Sequence, residues 1–133
     1  MEQSGHLILG KISINPLIKA REKFTRILEN SKDETDEIAA IKLFVICYEL
    51  SWKTLKRVLE IKGLIDINNP RDVFRESAVQ GLIAKPEAWF AFQEDRNRTV
   101  HTYNQEVAND IFASLGGFQI ELNKLVEILQ TIK

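Results

Sequence analysis

A chain of 133 residues, 44% hydrophobic and 28% charged, is expected to fold as one soluble domain around a single core. Eighteen basic and nineteen acidic side chains leave a net charge of −1, so nothing global points to nucleic acid and any anion site is a local arrangement. The single Cys47 excludes an internal disulfide and no apolar run is long enough to cross a bilayer, which reads as a cytoplasmic protein with no membrane partner.

Residues 1–15 stand apart. "HLILGKISI" is interrupted by Gly10 and Lys11 and lacks the small-residue cleavage pattern of a secretory signal. It is read as a mobile N-terminal extension, with His6 facing solvent. Residues 16–133 form the single helical domain. Asn15–Pro16 has the form of an N-cap followed by a first-turn proline, and Leu17, Phe24, Ile27 and Leu28 continue at helical spacing to about Asn30. Ser31 to Asp36 is polar and turn-like. Ile38, Ile41, Val45, Tyr48, Trp52, Leu55 and Leu59 then step by three or four residues to Lys62, and Gly63 is the expected C-cap.

Asn69–Pro70 opens a short helix, "RDVFRESAVQ", which Gly81 closes. Lys85–Pro86 opens the next, "EAWFAFQEDRN". The last helix runs from about Asn104 to Ile132 on Val107, Ile111, Leu115, Leu122, Leu125 and Leu129. Gly116–Gly117 inside it is read as a kink, a break or a close helix contact. No alternating pattern of strand length follows residue 15. The fold class is therefore all-α, an antiparallel four- to five-helix up-and-down bundle.

Most reactive side chains have a bland reading. Cys47 lies in "KLFVICYEL" with no histidine nearby, so it belongs to the core. Two histidines and one cysteine offer no metal-ligand spacing, and neither GxxxxGK[ST] nor GxGxxG is present; no metal or cofactor is expected. In "YELSWKTLKRVLE", Trp52 is expected to anchor helix packing, while Lys53, Lys56 and Arg57 sit on a wetter face.

"EDRNRTVHTYN" differs in kind. On a continuous helix Asn97 and His101 are neighbours, but Arg96 and His101 point about 140° apart. They serve one site only if the helix breaks near Thr99–Val100 or if two chains converge across a dimer. Asn104, as N-cap of the last helix, favours the break. Histidine titrates near neutral pH and arginine offers a permanent planar fork for phosphate oxygens. Together they suffice for RNA cleavage without a metal. The bland alternative pairs Arg96 and His101 with acids such as Glu94 and Asp95.

"RNRTVHTY", Arg96 to Tyr103, resembles the Arg–x4–His–x–Tyr signature of the HEPN superfamily, including a polar residue, Asn97, directly after the arginine. "ELSWKTLK" and "RDVFRESAVQGLI" resemble a narrower branch, the nucleotidyltransferase substrate-binding proteins, and the likeness extends from about residue 16. The resemblance implies a dimerising helical bundle acting as a metal-independent ribonuclease. Arg96 and His101 would be catalytic and Asn97 would support them. Arg98 beside them is read, from its charge alone, as a weak phosphate or RNA contact. The resemblance also implies a toxin–antitoxin pairing with a minimal, MNT-type nucleotidyltransferase that can nucleotidylate Tyr103. The alternative is a non-catalytic subunit that binds a nucleotide or substrate for that enzyme. Trp89, Phe90 and Phe92 are taken as apolar surface surplus to one core, available to a homodimer.

Overall fold

The computed structural model describes residues 7–133; the expectation for His6 lies outside the described residues. A two-stranded antiparallel hairpin, β1 (Leu7–Ile8) and β2 (Ile12–Ser13), precedes five helices. These are α1 (Asn15–Glu29), α2 (Glu34–Ile61), α3 (Pro70–Val79), α4 (Pro86–Arg98) and α5 (Gln105–Thr131). A single 3-10 turn, Thr99–His101, follows α4. Helix α2 packs against all four others, and short connectors set sequential neighbours antiparallel. The all-α bundle read from the periodicity is the fold.

The hairpin corrects the reading of residues 1–15 as a mobile extension, as far as residues 7–14 are concerned. Ile8, Ile12 and Ile14 are fully buried in the core. The Leu9 amide also bonds the Lys133 carbonyl, tying the hairpin to the other end of the chain. Strands of two residues are too short to declare themselves by alternation.

Helix boundaries follow local chemistry. The Asn69 side chain accepts the Asp72 amide at 2.9 Å ahead of Pro70, and Asp33 does the same for Asp36 at 2.9 Å, so α2 starts inside the expected Ser31–Asp36 turn. The N-cap of α1 is Ile14, not Asn15; Asn15 and Pro16 are its first helical residues. Gly63 and Gly81 stand at φ of +95° and +78°, and Leu64 and Leu82 reach back to the Leu59 and Ser77 carbonyls at 2.9 and 2.8 Å. Both are Schellman endings, which need a residue free to enter the left-handed region.

Helix α5 runs unbroken through Gly116–Gly117. A Cβ at either glycine would meet nothing within 4 Å, so they mark neither a break nor a close contact within the chain. Gly116→Ala and Gly117→Ala are each expected to raise the unfolding free energy by about 0.5–1 kcal/mol, read as a higher denaturant midpoint at unchanged slope.

An aromatic cluster joins the helices. Phe118 of α5 meets Phe24, Phe44, Trp89 and Phe92 edge-on, with centroids 5.6, 4.8, 5.7 and 5.1 Å away. Phe74 of α3 stacks on Trp89 at 5.1 Å. Trp89 and Phe92 are therefore spent on the chain's own core. Phe90 is half-buried beneath the Arg71 guanidinium, 4.2 Å from its ring. The three aromatics do not form the surplus apolar face expected of them. Cys47 is wholly buried in the same core, and burial pushes its thiol up to about 12.

Candidate active site

The carboxyl end of α4 positions the site. The helix stops at Arg98, and Thr99 adopts φ −63° and ψ −18° as its C-cap. Hydroxyls accomplish the stop: Thr99 donates to the Arg96 carbonyl at 2.7 Å, and Thr102 to the Thr99 carbonyl at 3.1 Å. Asn104 then caps α5, its side chain accepting the Glu106 and Val107 amides at 2.9 and 3.4 Å. The expected break at Thr99–Val100 is thus present, between two helix termini.

Arg96 turns toward α2, where its Nε donates to Glu49 Oε2 at 3.2 Å. This engagement leaves both Nη nitrogens for another acceptor. Glu49 is a hub: its Oε1 also accepts the Trp52 indole N–H at 3.2 Å, and Lys53 Nζ lies 3.7 Å from it. The sequence reading missed Glu49. Its signal was a carboxylate one turn before Trp52 in an otherwise apolar stripe, and its partner Arg96 lies 47 residues away. Trp52 is half-buried, packed on the core as expected while steering this carboxylate. Below them Tyr48 is buried, its hydroxyl without a hydrogen-bond partner among the described residues. Burial, then Glu49, raise its pKa, while Arg96 lowers it.

His101 stands on the exposed 3-10 turn, with Nδ1 3.3 Å from the Tyr103 hydroxyl and the two rings edge-on at 5.8 Å. Its Nε2 is free of any hydrogen bond within the described residues. When Nδ1–H donates to the tyrosyl oxygen, Nε2 is the bare, basic nitrogen. Tyr103 is 84% exposed, so it is not packed against the bundle. Asn97 is exposed and forms no hydrogen bond among the described residues, and none joins Arg96 to His101. The bland alternative holds for the arginine, which pairs with Glu49 rather than Glu94 or Asp95, and His101 pairs with no acid among the described residues.

Arg98 differs from its expected role. It donates to Asp110 at 3.1 Å and lies 3.7 Å from Asp95, so two carboxylates already offset its charge. Asp95 in turn accepts Ser114 Oγ–H at 2.8 Å; burial raises its carboxyl, while Ser114 and Arg98 act to lower it. These bonds clamp the end of α4 to α5. Beside the turn, α2 walls a cleft of about 340 Å³ lined by Ile38, Ile41, Lys42, Val45, Thr99 and Thr102. Ile38, in this lining, and Val100, on the turn itself, are 63% and 67% exposed. Among the described residues no group of three or more His, Cys, Asp or Glu converges, and no helix is long and apolar enough to cross a membrane.

Comparison with known proteins bears on this arrangement. Residues 12–131 match the family model described as nucleotidyltransferase substrate binding protein like. A Haemophilus influenzae protein named "Probable ribonuclease HepT" is 38% identical over 95 residues, spanning 68% of this chain and 65% of that protein. The chain thus matches just under two thirds of that relative's length. A solved Haemophilus influenzae structure, described as the fold of a substrate binding domain of a nucleotidyltransferase, superposes with a TM-score of 0.83 at 31% identity. It covers 88% of this chain and 98% of that one. A Thermus thermophilus structure gives 0.79 at 26% identity, covering 85% and 98%.

Proposed function

Because the chain belongs to the nucleotidyltransferase substrate binding protein like family, a HEPN-like helical family, we propose that it acts with a nucleotidyltransferase, as a dimeric, metal-independent ribonuclease of a toxin–antitoxin pair. One observation carries the catalytic reading. The helix break presents an arginine fork and an unengaged imidazole nitrogen on the same short segment, and simple phosphate binding needs no titratable group.

His101 Nε2 withdraws the proton of a ribose 2′-hydroxyl. The freed oxygen attacks the adjacent phosphorus, the 5′-oxygen departs and takes a proton from water, and a 2′,3′-cyclic phosphate remains. Arg96 receives the non-bridging oxygens on its two Nη groups as charge builds there. Glu49 fixes the plane of that fork through Nε. Asn97, exposed beside them, offers its amide to the bound strand. Two copies meet over the face bearing Ile38 and Val100, bringing both Arg96–His101 segments to one cleft.

Tyr103 is the regulatory residue of this reading. Its exposed hydroxyl takes a nucleotidyl group from a nucleoside triphosphate, with pyrophosphate leaving, in a reaction run by an MNT-type partner. The added anion occupies the phosphate site and sets bulk beside His101. The non-catalytic alternative, a subunit binding a nucleotide or substrate, is favoured by the neutralised Arg98: the remaining cationic footprint is small for a long RNA.

The test takes protein that light scattering shows to be a dimer at micromolar concentration. It is expected to cleave single-stranded RNA in chelator and to lose that activity after treatment with the partner, nucleoside triphosphate and magnesium. Intact mass should rise by one nucleotide on wild type and not on Tyr103→Phe, which keeps most of its activity. A stable monomer, or equal labelling of both proteins, removes the corresponding part of the proposal. RNA left intact across many substrates hands the function to the binding subunit.

A further inference from the structure

A second cleft lies at the other end of α4, where Trp89 sits about 10 Å of helical rise before Arg96. It encloses about 210 Å³ between the Leu82–Lys85 connection, α4 and the last turns of α5. Its lining is mainly apolar, with Ile83, Ala84, Leu125 and Ile128, and Trp89, 1% exposed, lies beneath it. Glu121 is set into this wall and is only 8% exposed. A carboxylate in such surroundings loses most of its hydration and needs a cation to replace it.

The chain supplies that cation poorly. Among the described residues the one hydrogen bond to the Glu121 carboxylate comes from Lys124 Nζ at 3.4 Å, and the Lys124 side chain is half in solvent at 51% exposure. Glu127 adds a second carboxylate at the rim, so the lining carries one net negative charge. In volume the cleft exceeds an apolar cavity of about 150 Å³ that accepts benzene.

We propose that this cleft binds a small organic monocation, an ammonium or guanidinium head on a flat apolar body. The head replaces Lys124 at Glu121, and the body lies over Ile83, Ala84 and Ile128. Lys124, on its flexible stem, swings into solvent as the ligand enters. A monocation restores neutrality to the lining, whereas an anion adds to its charge and a neutral analogue leaves Glu121 as it was.

The full chain is titrated with phenethylammonium and followed by heteronuclear NMR. Saturable shifts are expected at the Trp89 indole and at Ile83 and Leu125. Phenethyl alcohol should bind about tenfold more weakly or worse, and phenylacetate should leave these signals unmoved. Glu121→Gln should weaken the ammonium about tenfold. Lys124→Met, a change at an exposed position, should tighten it severalfold and decides the matter if Glu121→Gln does not fold. Equal affinity for ammonium and alcohol, or no saturable shift in either wild type or Lys124→Met, overturns the proposal.

Discussion

Arg96→Ala should lower the rate of RNA cleavage by about 10²–10³, because it removes a positioned donor to charge that develops only in the transition state. His101→Ala should leave no measurable cleavage, since the turn holds no second imidazole with a ring nitrogen free of hydrogen bonds among the described residues. Arg96→Lys should recover little: an ammonium holding Glu49 has no paired nitrogens left in plane for a phosphate. Glu49→Gln keeps a hydrogen-bond acceptor but loses its charge, and should cost about tenfold, the scale found for residues that orient a functional group from behind. Each variant must keep the wild-type far-ultraviolet spectrum and melting profile. Loss in Arg96→Ala together with full activity in His101→Ala would leave arginine a binding role and dismiss the imidazole as base.

Phe118→Ala should cost about 3–5 kcal/mol, a large share of the roughly 5–15 kcal/mol that stabilises a domain. The side chain is fully buried and borders rings from α1, α2 and α4, so its removal opens a cavity that no single helix can close by moving. The melting temperature should fall on the order of 10–20 °C. Phe90→Ala, by contrast, loses a half-buried ring and its contact with Arg71, and should cost about 1 kcal/mol. Similar losses in the two variants would contradict the central place given to Phe118.

The helices were legible because their signals are local. Asn69–Pro70 and Asn104 start the helices after them, and Gly63 and Gly81 end the helices before them, all through bonds spanning a few residues. The hidden features depend on partners remote in the chain. Nothing near Trp89 or Phe92 says that Phe118 will bury them, so an aromatic run reads equally as core or as surface. The hairpin escaped because Ile8, Ile12 and Ile14 gain their burial from helices that come later. Gly116–Gly117 looked like punctuation, yet helical packing on either side overrides the modest cost of two glycines.

The site divides in the same way. The break that presents His101 was written in Thr99 and Asn104, each of which bonds within its own turn. The carboxylate that holds Arg96 was not, since Glu49 belongs to α2. Charge on Arg98 was visible in sequence, while its neutralisation by Asp110 required α5 to pack alongside.

The solitary thiol of Cys47 equips the molecule with its own clock. A sulfhydryl sealed in the core and held protonated is invisible to a disulfide reagent until α2 opens. The speed of labelling in the native buffer then measures how often that helix parts from its neighbours, with no denaturant and no engineered residue. With one thiol in the chain able to react, every modified molecule reports the same opening event.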